Sequence, residues 1–298
     1  MPWTPNLIMP GVAKCGTTTL YDLLVAHPRV TGGIEKEVRF LMDPEDRLCP
    51  SVNLHASGLE GWASQYADAG RGDFDIWLDA SPQYQYQRTA LPTIACLDPQ
   101  PKILFIIRNP SRRLFSLYQY ARYHQRTIPW VISFEHFIDA IRDPIDERAA
   151  QFNMLRSAWR DTLYDQTVDL WSAEIARENL FVMSLEELTA DRKKSLEALA
   201  SWLGIAAEPL VCAGTAASNP TVATKSRLLR SLGARIARTL PDTRVVRRAK
   251  DVVRSLNSAP IDRSELEDNA QLLAQLEQEF APNMARLSQQ RALLSGTV

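Results

Sequence analysis

Gly11-Val12-Ala13-Lys14-Cys15-Gly16-Thr17-Thr18 follows a short apolar run, Asn6 to Met9, and opens a helical pattern from Thr17 to His27. That context, strand then glycine loop then helix, is what an anion-cradling loop requires, because its backbone N–H groups and the positive helix end converge on one point. The two glycines have the separation of a Walker A loop. The lysine does not, since Lys14 precedes the second glycine where a nucleoside triphosphatase has Gly-Lys-Ser/Thr. Glycine is scarce at 12 residues, below the usual level of about 7%, so each glycine is worth a geometric reason.

Working outward, three further apolar runs punctuate the chain. Asp75 to Leu78 enters Asp79-Ala80-Ser81-Pro82, Lys102 to Ile107 enters Arg108-Asn109-Pro110, and Leu180 to Met183 enters Ser184-Leu185-Glu186-Glu187. Lys102 to Ile107 is apolar on both faces, as a central parallel strand is. Helices are predicted over 17–27, 111–124, about 155–176, 192–203, 225–240 and 262–290, from apolar spacing such as Leu114, Leu117, Tyr118 and Ala121. Strands alternating with helices predict an α/β fold with a mainly parallel central sheet. We expect an α/β core over 1–224 and a helical C-terminal extension over 225–298 packed on the same domain.

The central strand ends in Arg108, with Ser116 two helical turns further on. A triphosphatase would place a magnesium-holding aspartate at such a strand end. A guanidinium with a hydroxyl along the next helix suits a second phosphate group instead.

Composition bounds the rest. The chain has 298 residues, 45% apolar, with a net charge of −1. That is enough to bury a substantial core, and it argues against a dedicated nucleic-acid binder, which carries a basic excess. The neutrality hides an uneven distribution. Residues 225–254 hold ten Lys/Arg against Asp242 and Asp251, leaving −9 on the remainder. Leu228, Leu229, Leu232, Ile236 and Leu240 form an apolar stripe there, so the segment reads as a solvated helix, with contact to an anionic surface through 235–254 as its sharper alternative. Cys15, Cys49, Cys96 and Cys212 form no zinc-ligand spacing and read as reduced structural thiols. No basic leader or run of about 18 apolar residues occurs, which predicts a soluble, cytoplasmic protein. His27, His55 and His136 read as structural or exposed, whereas His124, on the helix after Ser116, can face a cleft.

These elements resemble the sulfotransferases that use 3'-phosphoadenosine 5'-phosphosulfate (PAPS). The family's 5'-phosphosulfate loop is similar to Gly11 to Leu20, and its 3'-phosphate element to Ile107-Arg108-Asn109-Pro110-Ser111-Arg112-Arg113-Leu114-Phe115-Ser116-Leu117-Tyr118. A third similar stretch holds Leu163-Tyr164, Leu170-Trp171, Asn179 to Met183, Glu187-Leu188 and Trp202 to Ile205, and the resemblance spans roughly residues 6–225. It is nearest to the carbohydrate type, including the heparan sulfate 3-O-sulfotransferases, whose Glu-Val-His-Phe-Phe segment resembles Glu37-Val38-Arg39-Phe40-Leu41.

The resemblance implies a P-loop-type three-layer fold and an enzyme that moves a sulfuryl group to an acceptor hydroxyl on a carbohydrate, glycolipid or other small alcohol, releasing 3'-phosphoadenosine 5'-phosphate (PAP) without a metal. It implies Lys14 and Glu37 as catalytic residues, Glu37 being the general base. Val38 and Phe40 beside it are expected to raise its pKa toward the working range. Donor contacts fall on Lys14, Cys15, Gly16, Thr17, Thr18, Thr19, Arg108 and Ser116, and on Lys225 and Arg227 in a downstream loop. Arg39 stands where those enzymes have histidine, and Ala80 where they have lysine in Glu-Lys-Thr-Pro-x-Tyr. Acceptor contacts are therefore open among Arg39, Asp79, Tyr84 and His124. Two other classes stay open: a P-loop nucleotide kinase or phosphotransferase, and a catalytically silent binding protein that docks through its basic region.

Overall fold

The computed structural model describes residues 2–69, 73–213, 222–224, 258–260 and 264–295. Five strands make one sheet: β1 (Leu7–Gly11), β2 (Val30–Gly32), β3 (Ile76–Asp79), β4 (Lys102–Ile107) and β5 (Leu180–Ser184), in the order β2-β3-β1-β4-β5. Every pairing is parallel. Four of these strands match the apolar runs. The fifth, β2, is a three-residue edge strand too short to stand out in the sequence.

β4 shows why the sheet is buried on both sides. Ile103, Phe105 and Ile107 pack on one face with Phe40, Trp62 and Trp171. Leu104 and Ile106 pack on the other, with Leu20, Leu24, Leu196 and Leu199, as the two-residue period of a strand dictates. The helices supplying the second face are α1 (Thr17–Val25) and the helix Arg192–Leu203.

The helix after β4, α2 (Pro110–Gln119), starts with Asn109, whose side chain accepts the Arg112 N–H, and carries Pro110 in its first turn. The predicted single helix 111–124 instead widens into a π-turn over Tyr120–Gln125 and stops at Arg126, at φ +54°. π-turns of this kind recur at functional sites. The long helix predicted over 155–176 is also broken. Asn153–Arg156 and a 3₁₀ turn at Arg160–Thr162 precede α3 (Tyr164–Ser172). The Ala158 carbonyl, which a continuous helix would give to the Thr162 N–H, accepts the Thr162 hydroxyl and the Arg113 guanidinium instead, and Thr162 N–H turns to the Trp159 carbonyl.

The last described helix, α4 (Ala270–Ser295), is tied back onto the α/β core. Asp165, almost wholly buried, accepts hydrogen bonds from Asn283 and Arg286. Arg291 binds the Val182 carbonyl and both Glu187 oxygens, and Leu273, Leu276 and Phe280 fill a cluster with Leu114, Phe134 and Phe137. The expected boundary at 224/225, the helix 225–240 and the basic stretch 235–254 lie at the edge of, or outside, the described residues. Among the described residues no helix is long and apolar enough to cross a membrane.

Candidate active site

β1 lies between β3 and β4, so the chain runs to one side of the sheet after β1 and to the other after β3. Crevices for ligands open at the carboxyl ends of strands at such a reversal. The loop 11–18 leaves β1 here. At Gly11 a Cβ would displace the Gln85 side-chain amide and crowd the Phe105 ring. Gly16 is required because it sits at φ +96° and a Cβ would lie 2.9 Å from Leu185 Cδ1. Gly16 is the N-cap of α1 and no side chain caps that helix. Its first-turn N–H groups are therefore offered to a ligand.

Two cations flank the loop. Lys14, itself at φ +71°, sets its ammonium 4.2 Å from the centre of the Tyr120 ring, and that ring stacks on His124 at 4.8 Å. Burial, then the nearby Arg108 charge, pull the Lys14 pKa down to about 8. Arg108 leaves the end of β4 half-buried, and its side chain takes no hydrogen bond or ion pair from any described residue. Two cations near enough to repel, one of them without a counter-charge among the described residues, make a positive potential that favours an anion. Ser116, 8% exposed, sits on α2 two turns beyond.

On the other side of the loop, Lys36 Nζ donates to Thr18 Oγ1 at 3.1 Å and lies 3.7 Å from Glu37. Glu37 Oε2 accepts from Arg39 Nη2 at 2.6 Å and from Gln83 Nε2 at 2.7 Å. Val38 and Phe40 are buried in the core, while Glu37 and Arg39 stay half-buried and pair with each other. The expectation that Val38 and Phe40 raise the Glu37 pKa is thereby corrected. Burial does push it up, but the Lys36 charge and the bonds from Arg39 and Gln83 outweigh that, and the carboxyl is held below its ordinary range.

Asp79 and Tyr84, read from sequence as acceptor contacts, are both fully buried. Asp79 ends β3, so a strand-end aspartate does exist next to β1, but its carboxylate is filled by Ser81 Oγ (2.6 Å), Tyr84 Oη (2.8 Å) and Trp62 Nε1 (3.2 Å). Those same hydroxyls accept the backbone N–H groups of Arg39 and Leu41, so Asp79 orients two hydroxyls that hold the Glu37 segment from beneath. Arg39, at φ +58°, is the strained residue this anchor fixes. Burial raises the Asp79 carboxyl to about 6 despite its donors. Asp79→Ala strands these donors and is expected to lower stability by about 1–3 kcal/mol, read by urea denaturation, whereas Tyr84→Phe, which removes a single hydroxyl, costs less.

Cys15 is wholly buried with its thiol 3.6 Å from Tyr164 Oη, and burial pushes its pKa up to about 11. It contributes backbone and volume to the loop. Thr17 is buried, and Thr18 and Thr19 are half-buried at the start of α1. Lys225 and Arg227 lie outside the described residues. The structure adds Lys36, Gln83 and Tyr120 to the site. Only Lys36 carried a sequence signal, as a cation next to Glu37; Gln83 and Tyr120 arrive from distant segments.

An uncapped loop of this shape, one strand away from an arginine that no described residue pairs, places the chain in the class of P-loop-type α/β folds. The chain belongs to the sulfotransferase domain family, whose model matches residues 4–218. It is 26% identical over 202 residues to the human bifunctional heparan sulfate N-deacetylase/N-sulfotransferase 3, which covers 67% of this chain and 22% of that protein. The Caenorhabditis briggsae bifunctional heparan sulfate N-deacetylase/N-sulfotransferase 1 is 23% identical over 208 residues, covering 67% and 23%. The chain therefore spans less than a quarter of the length of these relatives. Among solved structures, a sulfotransferase from Alicyclobacillus acidocaldarius superposes with a TM-score of 0.58 at 24% identity, covering 79% of this chain and 92% of that one, a likeness of fold.

Proposed function

We propose that this protein transfers a sulfuryl group from PAPS to a hydroxyl or amine on a carbohydrate, glycolipid or other small acceptor. The observation that carries this reading is the pairing of an uncapped glycine loop holding Lys14 with Arg108, a cation that no described residue pairs, at the end of the adjacent strand. A donor with anions at both its 5' and 3' ends matches two separate cationic positions. The loop N–H groups and Lys14 would take the 5'-phosphosulfate; Arg108 and Ser116 would take the 3'-phosphate.

In the transfer, the acceptor oxygen or nitrogen forms a bond to sulfur while the bond from sulfur to the bridging phosphate oxygen breaks. The electron pair stays on the departing PAP. Negative charge builds on that leaving oxygen, by analogy with phosphoryl transfer, and Lys14 with the loop dipoles opposes it. The acceptor proton passes to Glu37, which stays ionised because Lys36, Arg39 and Gln83 hold it so. Asp79 and Tyr84 act beneath this as supports for the Glu37 segment.

Calorimetric titration with PAP, beside ATP with Mg²⁺, tests the reading. PAP binding without a metal supports it. Binding of ATP with Mg²⁺ alone replaces it by a P-loop phosphotransferase.

The pH dependence follows from the two groups. Lys14 carries its charge below about pH 8 and loses it above, so kcat/KM, which reports the free enzyme, falls on the alkaline side from about there. The anionic donor favours charged Lys14, so the limb of kcat lies at higher pH. Glu37 is held below the ordinary carboxylate range, so the acid limb lies below that range too. A steady-state pH series with saturating and limiting donor checks both.

A further inference from the structure

We infer that Arg113 is a positioning residue that locks the 5'-anion loop to the helix bearing Ser116, so that the loop's affinity for its anion depends on a side chain that does not touch the donor. This rests on the donor-site reading above. Arg113 is 1% exposed; its hydrogen bonds go to neutral acceptors, and the buried Asp161 carboxylate acts on it through space. A buried guanidinium bound to neutral acceptors carries a desolvation cost of several kcal/mol, which an apolar side chain at this place in α2 would avoid. The Asp161 charge and the hydrogen bonds together offset that cost.

The hydrogen bonds show which segments Arg113 joins. Arg113 Nε donates to the Ala13 carbonyl at 3.1 Å, and Nη1 donates to the Ala158 carbonyl at 2.8 Å and to Thr162 Oγ1. One side chain on α2 thus joins the loop after β1 to the bend at 158–162. In a trans peptide the C=O and N–H vectors are opposed. With the Ala13 oxygen drawn toward Arg113, the Lys14 N–H of the same peptide plane points the opposite way, away from the buried guanidinium. The same bond holds the plane that sets Lys14 at φ +71°, a left-handed conformation an L-residue keeps only when neighbours impose it. Without Arg113 this peptide is free to flip, which would turn a carbonyl oxygen toward the incoming anion in place of an N–H.

The buried charge also acts at a distance, lowering the Cys15 pKa against the effect of burial. It therefore adds to the positive potential of the loop without presenting a hydrogen-bond donor to the ligand.

The test separates the two ends of the donor site by titrating adenosine 5'-phosphate, adenosine 3'-phosphate and PAP into wild type and Arg113→Met. Loss of a charge-assisted hydrogen bond predicts at least about tenfold weaker binding of adenosine 5'-phosphate and PAP, with adenosine 3'-phosphate changed by less than about threefold because Arg108 and Ser116 remain on their elements. Arg113→Lys, which keeps the charge and one reaching donor, serves also if Arg113→Met does not fold. It is expected to lose part of the 5' affinity and none of the 3' affinity. Thr162→Val, which removes one far-arm acceptor and keeps the bond to the Ala158 carbonyl, should leave 5' affinity unchanged, and a loss of about tenfold there would count against the Ala13 bond as the determinant. Equal loss for both monophosphates, or undiminished adenosine 5'-phosphate binding in Arg113→Met or Arg113→Lys, overturns the proposal while leaving the donor reading intact. A wild type that binds none of the three overturns both.

Discussion

Glu37→Gln leaves PAP affinity within a few-fold of wild type and lowers kcat by about 10²–10⁴, the usual contribution of a positioned general base. The two halves of this expectation rest on different observations. The base is lost because an amide cannot take a proton from the acceptor. Local structure is retained because the amide oxygen still accepts from Arg39 or Gln83, and Asp79, Ser81 and Tyr84 hold the segment independently. Donor affinity does not fall, since removing a carboxylate between Lys36 and Arg39 leaves those cations less compensated and the crevice more positive. Kinetics with any identified acceptor, set beside PAP calorimetry on the same protein, check the pair of outcomes. Undiminished turnover takes Glu37 out of the reaction, and a parallel collapse of PAP binding makes it a structural residue.

Arg108→Ala weakens PAP by about 30-fold or more, the scale for losing one member of a desolvated charge pair, while adenosine 5'-phosphate is almost unaffected. The folded protein is not destabilised by this change, because the Arg108 side chain holds no described residue in place and its charge opposes that of Lys14. The same repulsion gives the variant a second signature. With Arg108 gone the Lys14 pKa rises, and the alkaline limb of kcat/KM moves to higher pH. Equal weakening of PAP and adenosine 5'-phosphate would contradict the assignment of Arg108 to the 3'-phosphate.

The sequence made the scaffold legible where periodicity and punctuation agreed. Asn6 to Met9, Lys102 to Ile107 and Leu180 to Met183 are apolar on both faces and end in turn residues, and each lies in the parallel sheet. β2 was hidden because three residues show no period. The helix over 155–176 broke because a long-range donor, Arg113, captures the Ala158 carbonyl, and no local pattern reveals that. For Glu37 the structure corrects the electrostatics: Val38 and Phe40 stand beside it in sequence but are buried in the core. The partners that fix its charge include Gln83, 46 positions away. Asp79 and Tyr84 were found for their motif and turn out to lie under the site. Arg113 stood inside the quoted 3'-phosphate motif without a role, because the atom it holds, the Ala13 oxygen, belongs to a different motif.

Asn109 begins the helix that carries Ser116, and the far C-terminal helix reaches it. Glu277 accepts from Asn109 Nδ2 at 3.0 Å and from Ser111 Oγ at 3.2 Å, while Leu273, Leu276 and Phe280 cover Leu114 and Phe137. The family model ends at residue 218, so the smallest fragment that keeps these contacts is longer than the stretch that model outlines. A fragment cut at that border would uncover an oily face on α2 and leave the turn beside Arg108 without its clamp. Shortening, domain fusion and grafting of this protein should therefore keep the helix through Ser295 with the α/β core.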